Sequence, residues 1–416
     1  MKSNKQLIAL FLLGFVLTGT NSSYSAKPKG LKKGPNMALS ITNKKKDPPQ
    51  TYVNIGLLSN YANLQGFGLN AISSITHQYV KGIQVAGITN VTGLNMSGLQ
   101  IAGIANVTGK TSNGMVLSGL MNVSGKEANG FQLSGIGNVV NGSTRGFFLG
   151  GLINLSGKSS GGVHIAGLAN INGQDYSGMS IGGLMNVNGN SIKGVQLSAL
   201  LNVAGESNKG VQLAGLGNVT VNNKGLQFGL ANYSEQNRGL QIGVSNVETK
   251  RNKGWQLGLI NISQDSISAR QIGLVNWNPR TRPQLIISGG NLNKVNVAVR
   301  FKNQHTYTQI GTGAYYFDMD AKFSFSAFYR AGVYYPILPQ LEISADMGYY
   351  HIESLKNKDN GYPARLYALQ PRVNIEYNIS KKIGVFASGG YSWTKTYGHS
   401  GNFDDKATFE VGIILF

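Results

Sequence analysis

Glycine returns every sixteen residues through the middle of this chain, at Gly66, Gly82, Gly98, Gly114, Gly130, Gly146, Gly162, Gly178, Gly194 and Gly210. Self-similarity at so short a period makes each copy one unit that buries surface only against its neighbours, which excludes most globular folds for this stretch. The register then shortens by one or two residues through Gly225, Gly239 and Gly254; a last copy opens at Ala269, and a partial copy, Val53 to Tyr61, precedes the series. The unit reads G-φ-Q-φ-A/S-G-φ-x-N-φ-x-G, followed by four variable polar residues. These copies hold much of the 57 Gly in 416 residues; with 10 Pro and no G-X-Y triplet, collagen is excluded and repeated tight turns are implied.

Two architectures can use such a unit. In a β-solenoid each copy is one coil, with Gly and Asn at the corners and apolar residues turned inward. In a transmembrane barrel each copy is one strand plus a turn, and Met115, Leu117, Gly119, Met121 and Val123 do alternate as a lipid-facing strand requires. The shortened copies favour the solenoid. From Gly225 the chain runs Leu226-Gln227-Phe228-Gly229, one residue shorter inside the would-be strand. In a membrane strand that deletion flips every later side chain, whereas a solenoid absorbs it at a corner. The 32-residue doubling expected from alternating short turns and long loops is absent as well. The expected fold is therefore all-β: a solenoid of about fourteen coils over 51–278, followed by an antiparallel barrel over 279–416.

Two polar columns run through the repeat. Asparagine holds the ninth place at Asn90, Asn106, Asn122, Asn138, Asn154, Asn170, Asn186, Asn202 and Asn218. Lying between two apolar positions, it is expected to form an internal ladder of paired amides; a sugar- or water-binding row is the functional alternative. Glutamine holds the third place and alternates with apolar neighbours, so it is expected to face outward. Gln84, Gln100, Gln132, Gln196, Gln212, Gln227, Gln241 and Gln256 are the candidate ligand-facing stripe. His164 stands in the same column and is expected to be an outward substitution.

Gly239-Leu240-Gln241-Ile242-Gly243-Val244-Ser245-Asn246 and Trp255-Gln256-Leu257-Gly258-Leu259-Ile260-Asn261 resemble the G-L-Q-I-G-L-I-N repeats of a family of bacterial surface-repeat proteins. The resemblance covers roughly residues 53 to 278. It implies a cell-envelope location and transfers no catalytic residue.

The ends of the chain agree with export. Lys2 and Lys5 precede an apolar run, Leu7 to Leu17, too short to span a bilayer, and small or polar residues follow to Ala26, so residues 1–26 read as a signal peptide. Residues 27–50 hold lysines among Pro28, Pro35, Pro48 and Pro49 and read as a basic, disordered or extended linker. After Pro279 longer alternating segments begin. Val295, Val297 and Val299 oppose Asn296, Ala298 and Arg300; Leu341, Ile343 and Met347 oppose Glu342, Ser344 and Asp346; Val373 and Ile375 oppose Arg372, Asn374 and Glu376. Seven segments are clear, and an eighth around Gln284 to Gly289 completes an even count. Apolar outer faces with aromatics near their ends, charges of both signs inside and a terminal Phe416 resemble small eight-stranded outer-membrane barrels. A soluble antiparallel sandwich is the alternative. An even barrel with a periplasmic C-terminus also starts there, which puts the solenoid in the periplasm; surface display needs an odd strand count or passage through the pore.

Catalytic chemistry finds little footing. There is no Cys, and the five His show no metal-ligand spacing. The repeats carry Glu127, Asp175, Glu206, Glu235, Glu248 and Asp265 in or near the variable tails, one per copy, which sets up no carboxylate pair for glycoside cleavage. Asp318 and Asp320 sit in an apparent hairpin turn. The formal charge of +20 divides into 9 basic against 1 acidic residue over 1–65, 13 against 6 over 66–278 and 15 against 10 beyond. No basic stripe interleaves with aromatics, so nucleic acid is disfavoured and contact with outer-membrane lipid and anionic envelope polymers fits better. The expected protein is non-enzymatic and without cofactor, a barrel-anchored repeat domain serving as scaffold, spacer or adhesive surface. The alternative is a large transport-like barrel whose membrane strands are the repeats.

Overall fold

The computed structural model describes residues 37–40, 50–265, 270–303, 305–316, 324–398 and 404–416. The signal peptide, most of the basic linker, Ala269, Asp318, Asp320, Lys322, Phe323 and His399 lie outside the described residues. The fold is nearly all strand, with a β-solenoid of about thirteen turns and a closed barrel of eight antiparallel strands. Within the segment read as a disordered or extended linker, Met37–Ser40 forms a short strand paired in parallel with Val53–Gly56. By contacts the chain groups into two compact units, Met1–Gly229 and Leu230–Phe416, so the last repeats cluster with the barrel rather than with the earlier repeats.

In the first unit one copy makes one turn. The turn opening at Gly98 uses the strands Asn95–Ala102 and Ala105–Thr108 and continues into Thr111–Ser118. Corners fall at Gly98, at Gly103–Ile104 and at Gly109–Lys110. Pairing between coils is parallel and sixteen residues out of phase, with Gln84 opposite Gln100 and Asn90 opposite Asn106. It continues through the corners, where Ile104 N donates to Ile88 O at 2.9 Å and Lys110 N to Leu94 O at 2.8 Å. Parallel coils are not the antiparallel ladder of a membrane barrel, so the repeats are not hairpin strands.

The faces of the coil are reversed from expectation. Gln100, Ala102, Asn106, Thr108 and Ser112 point inward and are buried, while Ile104, Met115 and Leu120 are exposed and Leu99, Ile101 and Val107 half-buried. Alternation fixes which residues share a face and leaves open which face is inside. Size decides it here. A sixteen-residue turn with three short sides encloses room for small side chains and for amides that lie along the axis, whereas a bulky apolar residue at every second position would overfill it. Inserted apolar residues cluster only locally, as in Tyr61, Leu64, Val80, Met96 and Val116.

The second unit opens with the shortened repeats, and they hold their columns. Ala231 lies opposite Ser245, Asn232 opposite Asn246 and Gln241 opposite Gln256. The missing residues are taken up at corners, as the register argument requires. Barrel strands follow at Arg282–Gly290, Asn293–Lys302, Thr306–Tyr315, Phe325–Leu338, Leu341–Glu353, Arg365–Asn378, Ile383–Thr396 and Asp404–Leu415. The first is the segment needed to complete an even count, and it closes the barrel on the last, with Leu285 opposite Leu415. Both ends of the barrel chain therefore lie at one rim. There the last solenoid turn is bonded to it: Asn276 Nδ2 donates to Thr308 Oγ1 at 3.0 Å, Asn278 Nδ2 to Asn303 Oδ1 at 2.8 Å, and Tyr329 OH to Gly273 O at 3.0 Å. These bonds cover strand ends that would otherwise be left open.

Candidate functional site

The expected ligand-facing stripe is not on the surface. Gln84, Gln100, Gln132, Gln196, Gln212, Gln227, Gln241 and Gln256 are at most 1% exposed. Where two glutamines are stacked the later one donates to the preceding coil: Gln100 Nε2 to Gln84 Oε1 at 2.7 Å, Gln212 to Gln196 at 2.8 Å and Gln256 to Gln241 at 3.0 Å. No external ligand can reach this column. The cause is the reversal of faces, because Gln shares its parity with the small residue two places on and both turn inward.

The asparagine ladder is internal, as expected. Asn90 Nδ2 donates to Asn106 Oδ1 at 2.9 Å, and the pattern repeats through Asn122, Asn138, Asn154, Asn170, Asn186 and Asn202 to Asn218. Each amide also donates to a backbone carbonyl of the next coil, as Asn106 Nδ2 does to Leu117 O at 2.7 Å. The two ladders donate in opposite directions along the coils, so their amide dipoles oppose each other. A buried amide costs free energy unless paired, and in the asparagine column the pairing is repeated at every turn from Asn90 to Asn218.

The glutamine column is interrupted where Val116, Phe148, His164 and Ser180 take its place. Among the described residues Gln100 Oε1, Gln132 Oε1 and Gln196 Nε2, which adjoin these interruptions, find no protein partner. His164 is buried rather than outward, 2% exposed, with its ring 4.8 Å from that of Phe148 and 5.2 Å from that of Tyr176. Burial without a countercharge lowers its pKa to about 4. The unfolded chain therefore takes up a proton below pH 6.5 that the folded chain refuses until about pH 4. Stability is complete above pH 6.5 and falls by about 3 kcal/mol as pH drops to 4. His164→Leu is expected to flatten this acid limb in denaturant titrations across that range; an unchanged limb would contradict the burial of a neutral imidazole.

Glu248 is the one acid of the repeats set inside the coil. Ser263 Oγ donates to it at 2.6 Å, the Lys250 backbone N–H donates to its other oxygen, and burial raises its pKa. The other repeat acids, Glu127, Asp175, Glu206, Glu235 and Asp265, are exposed or half-buried and remain apart. Among the described residues no three His, Asp or Glu side chains converge to hold a metal ion.

The barrel interior combines an ion-pair network with an apolar cluster of Ile286, Ala298, Phe328, Tyr350, Ile352, Ala368 and Ile414. Arg300 grips Glu376 through two bonds, 2.5 and 2.9 Å, and its Nε reaches Gln284 Oε1 at 2.7 Å. Arg330, fully buried, donates to Asp346 at 2.9 Å, to Tyr350 OH at 2.6 Å and to Gln370 O at 3.1 Å. Arg372 pairs with Glu410, which also accepts from Ser288, and Lys302 pairs with Glu342. Four cations face four anions, so this network carries no net charge. Lys302 and Glu410 were not among the charges singled out from sequence; their alternation with outward Phe301, Phe409 and Val411 is the signal that places them.

The outer wall is apolar. Val297, Val299, Ile343, Ile375 and Ile413 are exposed around it, with Tyr335 and Tyr377 toward the solenoid rim and Phe325, Tyr391 and Trp393 toward the other. Beside the last solenoid turn an apolar groove of about 680 Å³ crosses this wall over Ala331, Ala345 and Gly389. A polar cleft of about 530 Å³ lies at the rim, lined by Arg280, Arg282, Lys302 and Glu342. No helix is long and apolar enough to cross a membrane, which says nothing of strands.

These features define a class by architecture: a parallel β-solenoid with an amide-ladder core, followed by a closed eight-stranded barrel. No protein-family model matches the chain, and comparison with curated proteins finds no match either.

Proposed function

We propose that this chain is a non-enzymatic outer-membrane protein in which the barrel anchors the repeat solenoid as a scaffold, spacer or adhesive surface. The observation that carries the reading is the barrel itself. It encloses a charge-balanced network beside an apolar cluster and turns an apolar belt outward, with aromatics toward both rims, an outer face that a hydrocarbon surround favours. The signal-peptide pattern of residues 1–26 agrees with export.

Loop lengths support an orientation. At the rim where the barrel chain begins and ends, successive strands are separated by three, two and four residues (Lys302 to Thr306, Leu338 to Leu341, Asn378 to Ile383); at the other rim one separation is short, two residues between Gly290 and Asn293, and three are longer, nine, eleven and seven residues (Tyr315 to Phe325, Glu353 to Arg365, Thr396 to Asp404). Outer-membrane barrels keep short turns on the periplasmic side and long loops outside, so the solenoid belongs in the periplasm. Outer-membrane lipid and anionic envelope polymers are the partners, and nucleic acid is not. The apolar groove and the salt-bridged interior supply binding surfaces and stability but no nucleophile set against a base. Membrane fractionation and gel mobility test this: the mature protein is expected in the outer-membrane fraction, migrating faster unheated than boiled. A mature protein found freely soluble and without heat-modifiable mobility would contradict it.

A further inference from the structure

The reversal that buries the glutamines leaves the repeats with an outside that a soluble rod would not carry. Within the first unit two sides of every coil are apolar outward. The corner between them is a ridge of Ile104, Leu120, Leu152, Leu184 and Leu216, each about half exposed, 43% at Leu152 and 54% at Leu216. The flanking columns vary freely in size, through Leu99, Met115, Phe131, Phe147 and Val163 at one position. Phe131 and Phe147, both half-buried, stack at 5.2 Å on this outer side. Ten copies open between Gly66 and Gly210, and at about 4.8 Å per coil the two sides cover roughly 1,200 Å². The largest apolar patch on an ordinary monomer is roughly 300–600 Å².

Charge is excluded from both sides. Between Gly66 and Gly229 there are eight basic and three acidic residues, and all lie in the variable tail that forms the third side and its edges. Lys110, Lys126 and Lys158 run along one edge; Arg145, Lys193 and Lys209 run along the other, all exposed. The section is thus a wedge, with an apolar ridge, basic edges and a polar back. We propose that the solenoid lies along an anionic phospholipid surface, its ridge in the acyl region and its edge lysines among the head groups.

Two features select lipid over a second copy of the chain. The apolar surface is convex and turns a corner, so one flat partner covers only one side of it. A symmetric pair would also set basic edges against basic edges, whereas anionic head groups complement them. The amide ladders make the arrangement self-sufficient, because the core is held by hydrogen bonds and does not require the apolar residues inside. The proposal rests on the membrane location proposed above.

The chain has no cysteine, so single spin labels can be placed in the full-length mature protein. Leu152→Cys and Leu184→Cys sit on the ridge, and Glu127→Cys on the polar back; all three point outward, and circular dichroism verifies their folding. The protein is reconstituted into vesicles of phosphatidylcholine with and without phosphatidylglycerol, and relaxation by oxygen is compared with relaxation by a water-soluble nickel chelate. The expected result is ridge labels open to oxygen and shielded from nickel, more strongly with phosphatidylglycerol, and the reverse at Glu127→Cys. Nickel-accessible ridge labels would overturn the proposal. So would ridge labels shielded from both reagents and broadened by a neighbouring spin, the signature of paired copies. Heat-modifiable mobility on the same samples reports barrel insertion separately, so failure of the anchor and failure of the lipid contact are told apart.

Discussion

Gly162→Ala is expected to destabilise the solenoid by about 3 kcal/mol, while Gly161→Ala one residue earlier is expected to be neutral or slightly stabilising. The two differ in backbone and in space. Gly162 sits at φ +99°, in the region that L side chains avoid, and an added Cβ would lie 2.1 Å from the carbonyl oxygen of Gly146 in the coil below. Gly161 has no such φ, and the nearest atom to its Cβ position is Ser177 O at 3.4 Å. The same corner recurs in the copies before and after, where Gly146 and Gly178 also have positive φ. The strain therefore cannot be relieved by shifting one coil without displacing the next, and the loss should be larger than for an isolated turn. Denaturant midpoints followed by circular dichroism decide it. Equal effects at the two positions would mean that the corner is not built as described.

Arg330→Met is expected to cost the barrel about 3–5 kcal/mol, because it leaves Asp346 buried without its nearest countercharge. Arg330 is fully enclosed and holds three partners at once, Asp346, Tyr350 and Gln370. The pair itself has modest net worth, since both charges lose their hydration, so removing both should restore most of the loss. The double variant Arg330→Met with Asp346→Leu is expected to unfold nearer to the parent than either single change. The temperature at which unheated, fast-migrating protein converts to the slow form measures this. A single variant as stable as the parent would mean that water or lipid head groups reach the site.

Much of this architecture is legible from residue order. The period gives the coil, the shortened copies at Gly225 and Gly239 give parallel stacking, and alternation beyond Pro279 gives the barrel with its first strand around Gln284. What alternation cannot give is the inside. Gln100 and Leu99 differ by one place, and either could face the core until the volume of the coil is known. The signal was present in the columns themselves. The position after each opening glycine ranges from Val163 to Phe147, a spread that no packed core tolerates from one layer to the next, whereas Gln and Asn recur because an amide ladder needs the same group at each step. His164 turns inward for the same reason, since its parity follows the glutamines. The neutral charge count of the barrel needed Lys302 and Glu410, which become visible only when strands distant in sequence are set side by side. The polarity of the solenoid is thus a property of closure, which local pattern does not encode.

The repeats carry their polar residues inside and their apolar residues outside. Gln196→Cys and Leu197→Cys stand on adjacent residues, one fully buried and the other 43% exposed, in a chain that has no other thiol. In the folded full-length protein, the rates of modification by a small uncharged maleimide, each scaled to the rate in denaturant, report which face is open. Rapid modification is expected at Leu197→Cys and protection at Gln196→Cys. Protection at Leu197→Cys with rapid modification at Gln196→Cys would show an apolar core and contradict it.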